Sequence, residues 1–405
     1  MDGILTKVVG LLVVAIVVAL VARRFRLPYT VGLVGIGIVL VLTRMAGGIV
    51  LTHDFIFDVI LPPLLFEAAI NIHWPDLRRD FLPVFTLAIL GTIISAAAVG
   101  LGMVYTLGWP VRSATLFGVL IAATDPVAVI AMFKDNGITG RLRLLTESES
   151  LFNDGVAAVL FTIALTWGQA TAGGQIAPIF VLQTLALTVG GGILAGLLCA
   201  GVALAVAGRT SDHLIESTLT AVTAYGSFLL AEHFHCSGVL ATLTAGILIG
   251  NFGFLAHDDQ SRMSSVGREF TLALWEFITF IVNSLIFLLI GMSVAMISFS
   301  QLGIAAFLII MALVLLARAL AVYPLCFLFI RSRVAMSLSE QHILWWGGLR
   351  GALGLALALA LPPSFPFRSQ ILVATFGVVS FSVIIQGLTM PLLLRTLGFA
   401  KGTSI

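Results

Sequence analysis

ESESLFNDG, Glu147 to Gly155, sets carboxylates and an amide side chain in the middle of an otherwise apolar stretch. On a helix, residues four apart share a face, so Ser150 stands over Asp154 and Glu149 over Asn153. The surrounding segment, 145–168, is long and apolar enough to span a bilayer. A charge held at mid-bilayer costs ~2.5 to 3.5 kcal/mol on insertion scales, so such residues line an ion path or pair with a partner. Asp154 is expected to bind a cation and a proton in turn.

Composition agrees. Of 405 residues, 60% are hydrophobic and 10% charged, against roughly 25% charged in an average soluble domain. The apolar runs have helical length and are rich in Gly, Leu, Val and Ala, without the alternating ten-residue segments of an outer-membrane barrel. The fold expected is therefore an all-α polytopic membrane protein. Cys199, Cys236 and Cys326 lie in or at the ends of apolar runs, with no metal spacing or disulfide framework, and read as packing residues. The first residues carry a single Lys7 and the arginine cluster follows the apolar run instead of preceding it, so the first helix is expected to be retained, N-terminus outside. No nucleotide motif is present; neither a cofactor nor a nucleic-acid partner is expected, and the chain is not expected to be an enzyme.

Hydropathy predicts thirteen spans, at 4–22, 29–46, 54–72, 81–107, 112–133, 145–168, 178–207, 214–232, 236–253, 270–297, 302–330, 339–361 and 369–394. With the N-terminus outside, fifteen of the 21 Lys and Arg fall in cytoplasmic segments, Arg26, Arg262 and Lys401 among them, and Lys7, Arg44, Arg112 and Arg368 fall outside. That asymmetry fits the positive-inside rule and places the C-terminus in the cytoplasm. Thirteen spans parse as a repeat over 1–168, a linker helix at 178–207 and a second, inverted repeat over 214–394, together one membrane transport domain. The fifth and twelfth spans then correspond. Thr124-Asp125-Pro126 interrupts the first of these, and Gly347, Gly348, Gly351 and Gly354 weaken the second around Arg350. Broken helices at matching positions, crossing near the midplane, point to a transport site at the repeat interface.

Six ionisable residues fall well within spans: Glu67, Asp125, Glu149, Asp154, Arg318 and Arg350. Asp125 and Arg350, opposite in sign at corresponding breaks, are suited to neutralise half-helix ends. Glu149 has two candidate partners, Arg318 and Arg350. Asp154 and Glu67 remain, with Ser150 one turn before Asp154 and Thr124 offering a hydroxyl and, at the break, a free carbonyl. Oxygen ligands with one carboxylate suit Na⁺ or Li⁺ better than Ca²⁺ or a soft metal.

TDPVAV at 124–129, ESLFNDG at 149–155, the LPPLLFEA run at 61–68 and GGLRGAL at 347–353 resemble the cation/proton antiporters of the sodium/proton exchanger group, most closely the bacterial NhaP-like branch. The resemblance covers essentially the whole sequence. It implies that Asp154 carries ion and proton, and that Asn153 occupies the position of a second Asp in the electrogenic branch. Thr124, Ser150 and Glu67 match further ion-site positions, and Asp125, Glu149, Arg318 and Arg350 the charge-balancing set. It also implies a homodimer in a bacterial inner membrane, with a six-helix core moving against a dimerisation half.

The function expected is exchange of Na⁺ (or Li⁺) for H⁺, one for one because Asn153 cannot titrate, with Glu67 tuning the site. Rival classes are a cation channel, a sodium-coupled organic solute carrier and an intramembrane hydrolase. The channel needs a continuous pore, the solute carrier a roomy cavity, and the hydrolase a base near Ser150 that the sequence does not offer. Glu232, His233 and His235 read as interfacial rather than as metal ligands. His73, His257 and His342 fall at predicted inner loops or helix ends, and Trp109, Trp345 and Trp346 near predicted interfaces.

Overall fold

The computed structural model describes residues 2–25, 28–43, 51–169, 178–210, 212–254, 263–297 and 302–399, which form helices and turns with no strand. Arg26, Arg44, His257, Arg262 and Lys401 lie outside the described residues, as do the side chains of Lys7 and Arg23.

Each expected span has helix in its place: α1 (Asp2–Phe25), α2 (Tyr29–Leu42), α3 (53–70), α4 (Phe81–Leu107), α5a (Val111–Ala122) and α5b (Val127–Asp135), α6 (Arg141–Gln169) and α7 (Pro178–Ala207). Then follow α8 (His213–His233), α9 (Gly238–Phe254), α10 (Ser265–Met296), α11 (Ile304–Phe327), α12a (Leu338–Trp346) and α12b (Ala352–Leu359), and α13 (Arg368–Thr396). A short helix, Trp74–Arg79, not anticipated from hydropathy, joins α3 to α4. The starts of α6 and α10 precede the expected limits because caps and polar turns, not the edge of the apolar slab, begin a helix. Ser264, for example, accepts the Gly267 N–H at 3.0 Å and so satisfies a donor left over at the start of α10.

Lipid tails are as apolar as leucine, so helix association here depends on close packing and polar contacts. Gly37 of α2 and Gly291 of α10 show this directly: a Cβ on the first would strike the Leu288 carbonyl and one on the second the Val34 carbonyl. Two groups of helices result, α4–α6 with α11–α13, and α1–α3 with α7–α10. They meet at several places, among them where α3 faces α12b, where α10 faces α13 and where α6 faces α7 and α9. At the first of these contacts His53 Nδ1 lies 2.9 Å from the Ala356 carbonyl.

Two buried acids absent from the sequence reading hold helix ends. Glu216 on α8 accepts from the Ser264 N–H at 3.1 Å and from its hydroxyl at 2.8 Å, covering the start of α10. Asp80 takes Arg141 Nε at 2.9 Å, and the same guanidinium reaches the Val334 and Ala335 carbonyls at 2.6 and 2.9 Å.

Candidate functional site

The chain departs from helix at 123–126 and at 347–351. Pro126 contributes no N–H and disfavours helix at Asp125. At the second break Gly351 is required by proximity, since a Cβ there would overlap the Asp125 carboxylate. The two interruptions touch: Asp125 N donates to the Leu349 carbonyl at 2.7 Å. Backbone this deep in a membrane must find partners within the protein, and each half-helix end does.

Asp125 Oδ1 accepts the Val127 N–H at 2.9 Å, and the same carboxylate accepts from the Ala352 N–H. One negative charge thus serves the positive ends of both α5b and α12b. Arg350 Nη1 donates to the Ala122 and Ala123 carbonyls at 2.9 and 3.2 Å, opposite the negative end of α5a. The end of α12a is met differently from expectation. Arg318 Nη2 reaches the Leu344 carbonyl at 3.1 Å and Gln386 Nε2, from α13, reaches the Trp346 carbonyl at 3.0 Å.

Of the two partners open to Glu149, the geometry selects Arg318, in a bidentate pair at 2.9 and 2.8 Å buried on both sides. A fork-to-carboxylate match of this kind gives orientation as well as attraction. It pins α6 to α11.

Thr124 is held by α6. Its N–H donates to Asn153 Oδ1 at 3.1 Å, its hydroxyl accepts from Asn153 Nδ2 at 2.6 Å and lies 2.9 Å from Ser150 Oγ, and its carbonyl accepts from Ser150 Oγ. The free Thr124 carbonyl expected at the break is therefore not free, because Ser150 is close enough to occupy it. Asp154, one residue beyond Asn153, is different: its Oδ1 is buried without a hydrogen-bond partner. It faces a cavity of ≈ 60 Å³ bounded also by Leu61, Leu65, Thr124, Asp125 and Gly351. By that measure one water needs about 10–15 Å³, so a partly hydrated ion fits.

Glu67 does not join this group. It accepts from its own neighbour Asn71 at 3.0 Å, and the charges within its electrostatic reach are Glu147, Arg143, Glu276 and Lys134 rather than Asp154. Leu64 and Ala68, one turn apart on α3, line the cavity, and Glu67 does not. The motif recorded its nearness along the chain and not its facing.

A model of the family described as "Sodium/hydrogen exchanger, transmembrane" matches residues 11–396. The chain belongs to the sodium/hydrogen exchanger family. Its curated relatives in that family include the Na(+)/H(+) antiporter ApNhaP of Aphanothece halophytica, 38% identical over 92% of this chain and 70% of that protein. The Na(+)/H(+) antiporter NhaH of Halobacillus aidingensis is 34% identical over 97% of this chain and 98% of that one. The solved structure of the sodium proton antiporter MjNhaP1 from Methanocaldococcus jannaschii superposes with a TM-score of 0.76, 22% identity, and coverage of 97% of this chain and 99% of that one. That likeness shows a shared fold. Membership makes the exchanger an integral membrane transporter rather than an enzyme.

Other residues singled out in the sequence fall into structural places. Glu232 accepts the Gly238 N–H at 2.9 Å at the start of α9, His233 and His235 are exposed, and no group of three metal-ligating side chains occurs among the described residues. His342 Nδ1 lies 2.7 Å from the Tyr323 hydroxyl. Trp109, expected at an interface, is buried between Phe117 and Phe367. Ser382 and Gln386 on α13, not among the residues expected at the site, leave one signal in the sequence, two polar side chains four apart in VVSFSVIIQG.

Proposed function

We propose that this exchanger moves Na⁺ (or Li⁺) against H⁺, with Asp154 binding cation and proton in competition and one ion exchanged for one proton. The observation that carries the reading is that Asp154 lines a small cavity while its Oδ1 is buried without a partner. The other buried charges around the two breaks each have partners, Glu149 in Arg318, Asp125 in two helix starts and Arg350 in two carbonyls, with only the Nε of each arginine left without one. A cation or a proton at Asp154 neutralises the last charge, and a carrier that reorients only when neutral exchanges one for the other. Thr124 and Ser150 contribute oxygens through lone pairs left over from their mutual bonds. The cavity's ≈ 60 Å³ falls far short of the roughly 300–1,000 Å³ of sites for organic solutes, which disfavours a sodium-coupled solute carrier.

In this reading the chain sits in a bacterial plasma membrane as a homodimer in contact with lipid, C-terminus in the cytoplasm. The repeats 1–168 and 214–394, joined through 178–207, are inverted copies. Helices α4–α6 and α11–α13 move as one body against the rest around the fixed site. The test is proton flux in proteoliposomes carrying a pH dye. Wild type shifts internal pH on addition of NaCl and the Asp154→Asn variant does not. Flux in that variant equal to wild type, or a wild type indifferent to the cation, overturns the proposal.

A further inference from the structure

In the first half of the molecule, the break in α5 is held by two side chains of the next helix, Ser150 and Asn153 of α6. The break in α12 has a parallel arrangement. Ser382 Oγ accepts the Arg350 N–H at 3.0 Å, and Gln386 Nε2 donates to the Trp346 carbonyl at 3.0 Å, so the two residues grip the break on both sides. Both are buried and polar, and they are the first and last residues of a π-helical stretch, Ser382–Gln386.

We infer that Ser382 and Gln386 are positioning residues for ion exchange, which set the ion site through Arg350 without touching the ion. The inference rests on the exchange reading above. The route is short. Ser382 fixes the Arg350 backbone, the Arg350 guanidinium holds the Ala122 and Ala123 carbonyls, and the next residue, Thr124, borders the cavity together with Asp154. Gln386 anchors the other end of the same short strap, where Trp346 also donates its indole N–H to Thr389 of α13 at 2.9 Å. A loosened strap lets Arg350 leave its carbonyls and changes both the shape and the potential of the cavity. Partners one shell beyond a bound metal ion commonly alter its affinity by about tenfold or more.

The experiment compares wild type with Ser382→Ala, Ser382→Thr, Gln386→Leu and Gln386→Glu in proteoliposomes, measuring apparent KM for Na⁺, maximal rate, the pH profile and the thermal midpoint. Ser382→Ala and both Gln386 variants should change the KM by about tenfold and displace the pH profile. Ser382→Thr, which keeps the hydroxyl, should restore both. Gln386→Glu keeps the shape; when ionised it has no donor for the Trp346 carbonyl and should behave like Gln386→Leu, whereas at low pH its protonated carboxyl can donate and should recover towards wild type. A fall in thermal midpoint and maximal rate with KM and pH profile unchanged would mean the two residues only hold the fold. Should the Gln386 variants fail to assemble, the Ala and Thr variants of Ser382 decide alone. A wild type without sodium-dependent flux refutes the exchange reading itself, whereas a normal wild type with unshifted variants refutes only this inference.

Discussion

Asn153 grips Thr124 from two directions, accepting its N–H at 3.1 Å and donating to its hydroxyl at 2.6 Å, and the same amide donates to Glu149 at 3.2 Å. An aspartate in its place would have no N–H to give and would set a second carboxylate against Glu149. Asn153→Asp should therefore destabilise the exchanger by ~1 to 3 kcal/mol, the usual cost of stranding buried polar partners, and should lower the rate. Thermal unfolding in detergent measures it. An unchanged midpoint with full activity would show that the clamp on Thr124 is dispensable.

Asp154→Asn should separate stability from transport. The Asp154 Oδ1 has no hydrogen bond to lose, and a neutral amide removes the cost of a buried charge. The midpoint should equal or exceed that of wild type while exchange is lost. A marked fall in the midpoint would imply that Asp154 holds the fold through a contact of its own.

Gly351→Ala tests the crossing itself. The added methyl would overlap the Asp125 carboxylate and displace it from the starts of α5b and α12b, exposing two helix ends in the membrane interior. Strongly reduced assembly is expected, by size-exclusion profile and yield, and Gly354→Ala, where the nearest atom is the Leu120 carbonyl at 2.9 Å, should be milder. Equal behaviour of the two would argue against a special role for the Asp125 contact.

How much of this was legible beforehand follows from what kind of signal each feature leaves. The helices at the expected spans, the two breaks and the odd status of Asp154 are properties of local composition: long apolar runs, Pro126, a glycine cluster, an acid in a span. Pairings are not local. Nothing in the order of residues separates Arg318 from Arg350 as the partner of Glu149; the bidentate geometry does. The same holds for Glu67, whose motif placed it near the site while its helix face turned it toward Asn71 and the Glu147–Arg143 group. Asp80 and Glu216 escaped because an acid near a span end reads as solvated until the helix packed over it is known.

Truncating Arg318 to Met should cost ~3 to 5 kcal/mol, the range for removing one partner of a buried ion pair, because Glu149 would be left charged between α6 and α11. Adding Glu149→Gln should recover part of that loss. Recovery should be incomplete, since Arg318 also holds the Leu344 carbonyl at the end of α12a. Double-mutant thermal unfolding checks it, and a double variant no more stable than the single would mean that the pairing contributes nothing net.

The charge moved per cycle is the sharpest consequence of the site's composition. A site with two titrating carboxylates can release two protons for one cation, moving net charge. Here the neighbour of Asp154 is Asn153, its amide committed to Thr124 and Glu149. The remaining acid that could add a proton is Glu67, and it sits with Arg143, Glu147, Glu276 and Lys134 instead of on the cavity. One proton should leave for each Na⁺, and exchange should be indifferent to voltage. Movement of one net charge would instead couple transport to the potential by ~2.3 kcal/mol per 100 mV, about a fiftyfold shift in the equilibrium ion ratio. Proteoliposomes clamped with potassium and valinomycin at several potentials distinguish the two. The sodium gradient that just stops proton flux should be the same at every potential in wild type and in Glu67→Gln. A null point that moves with voltage in wild type and stops moving in Glu67→Gln would identify Glu67 as a second proton carrier and overturn the one-for-one exchange.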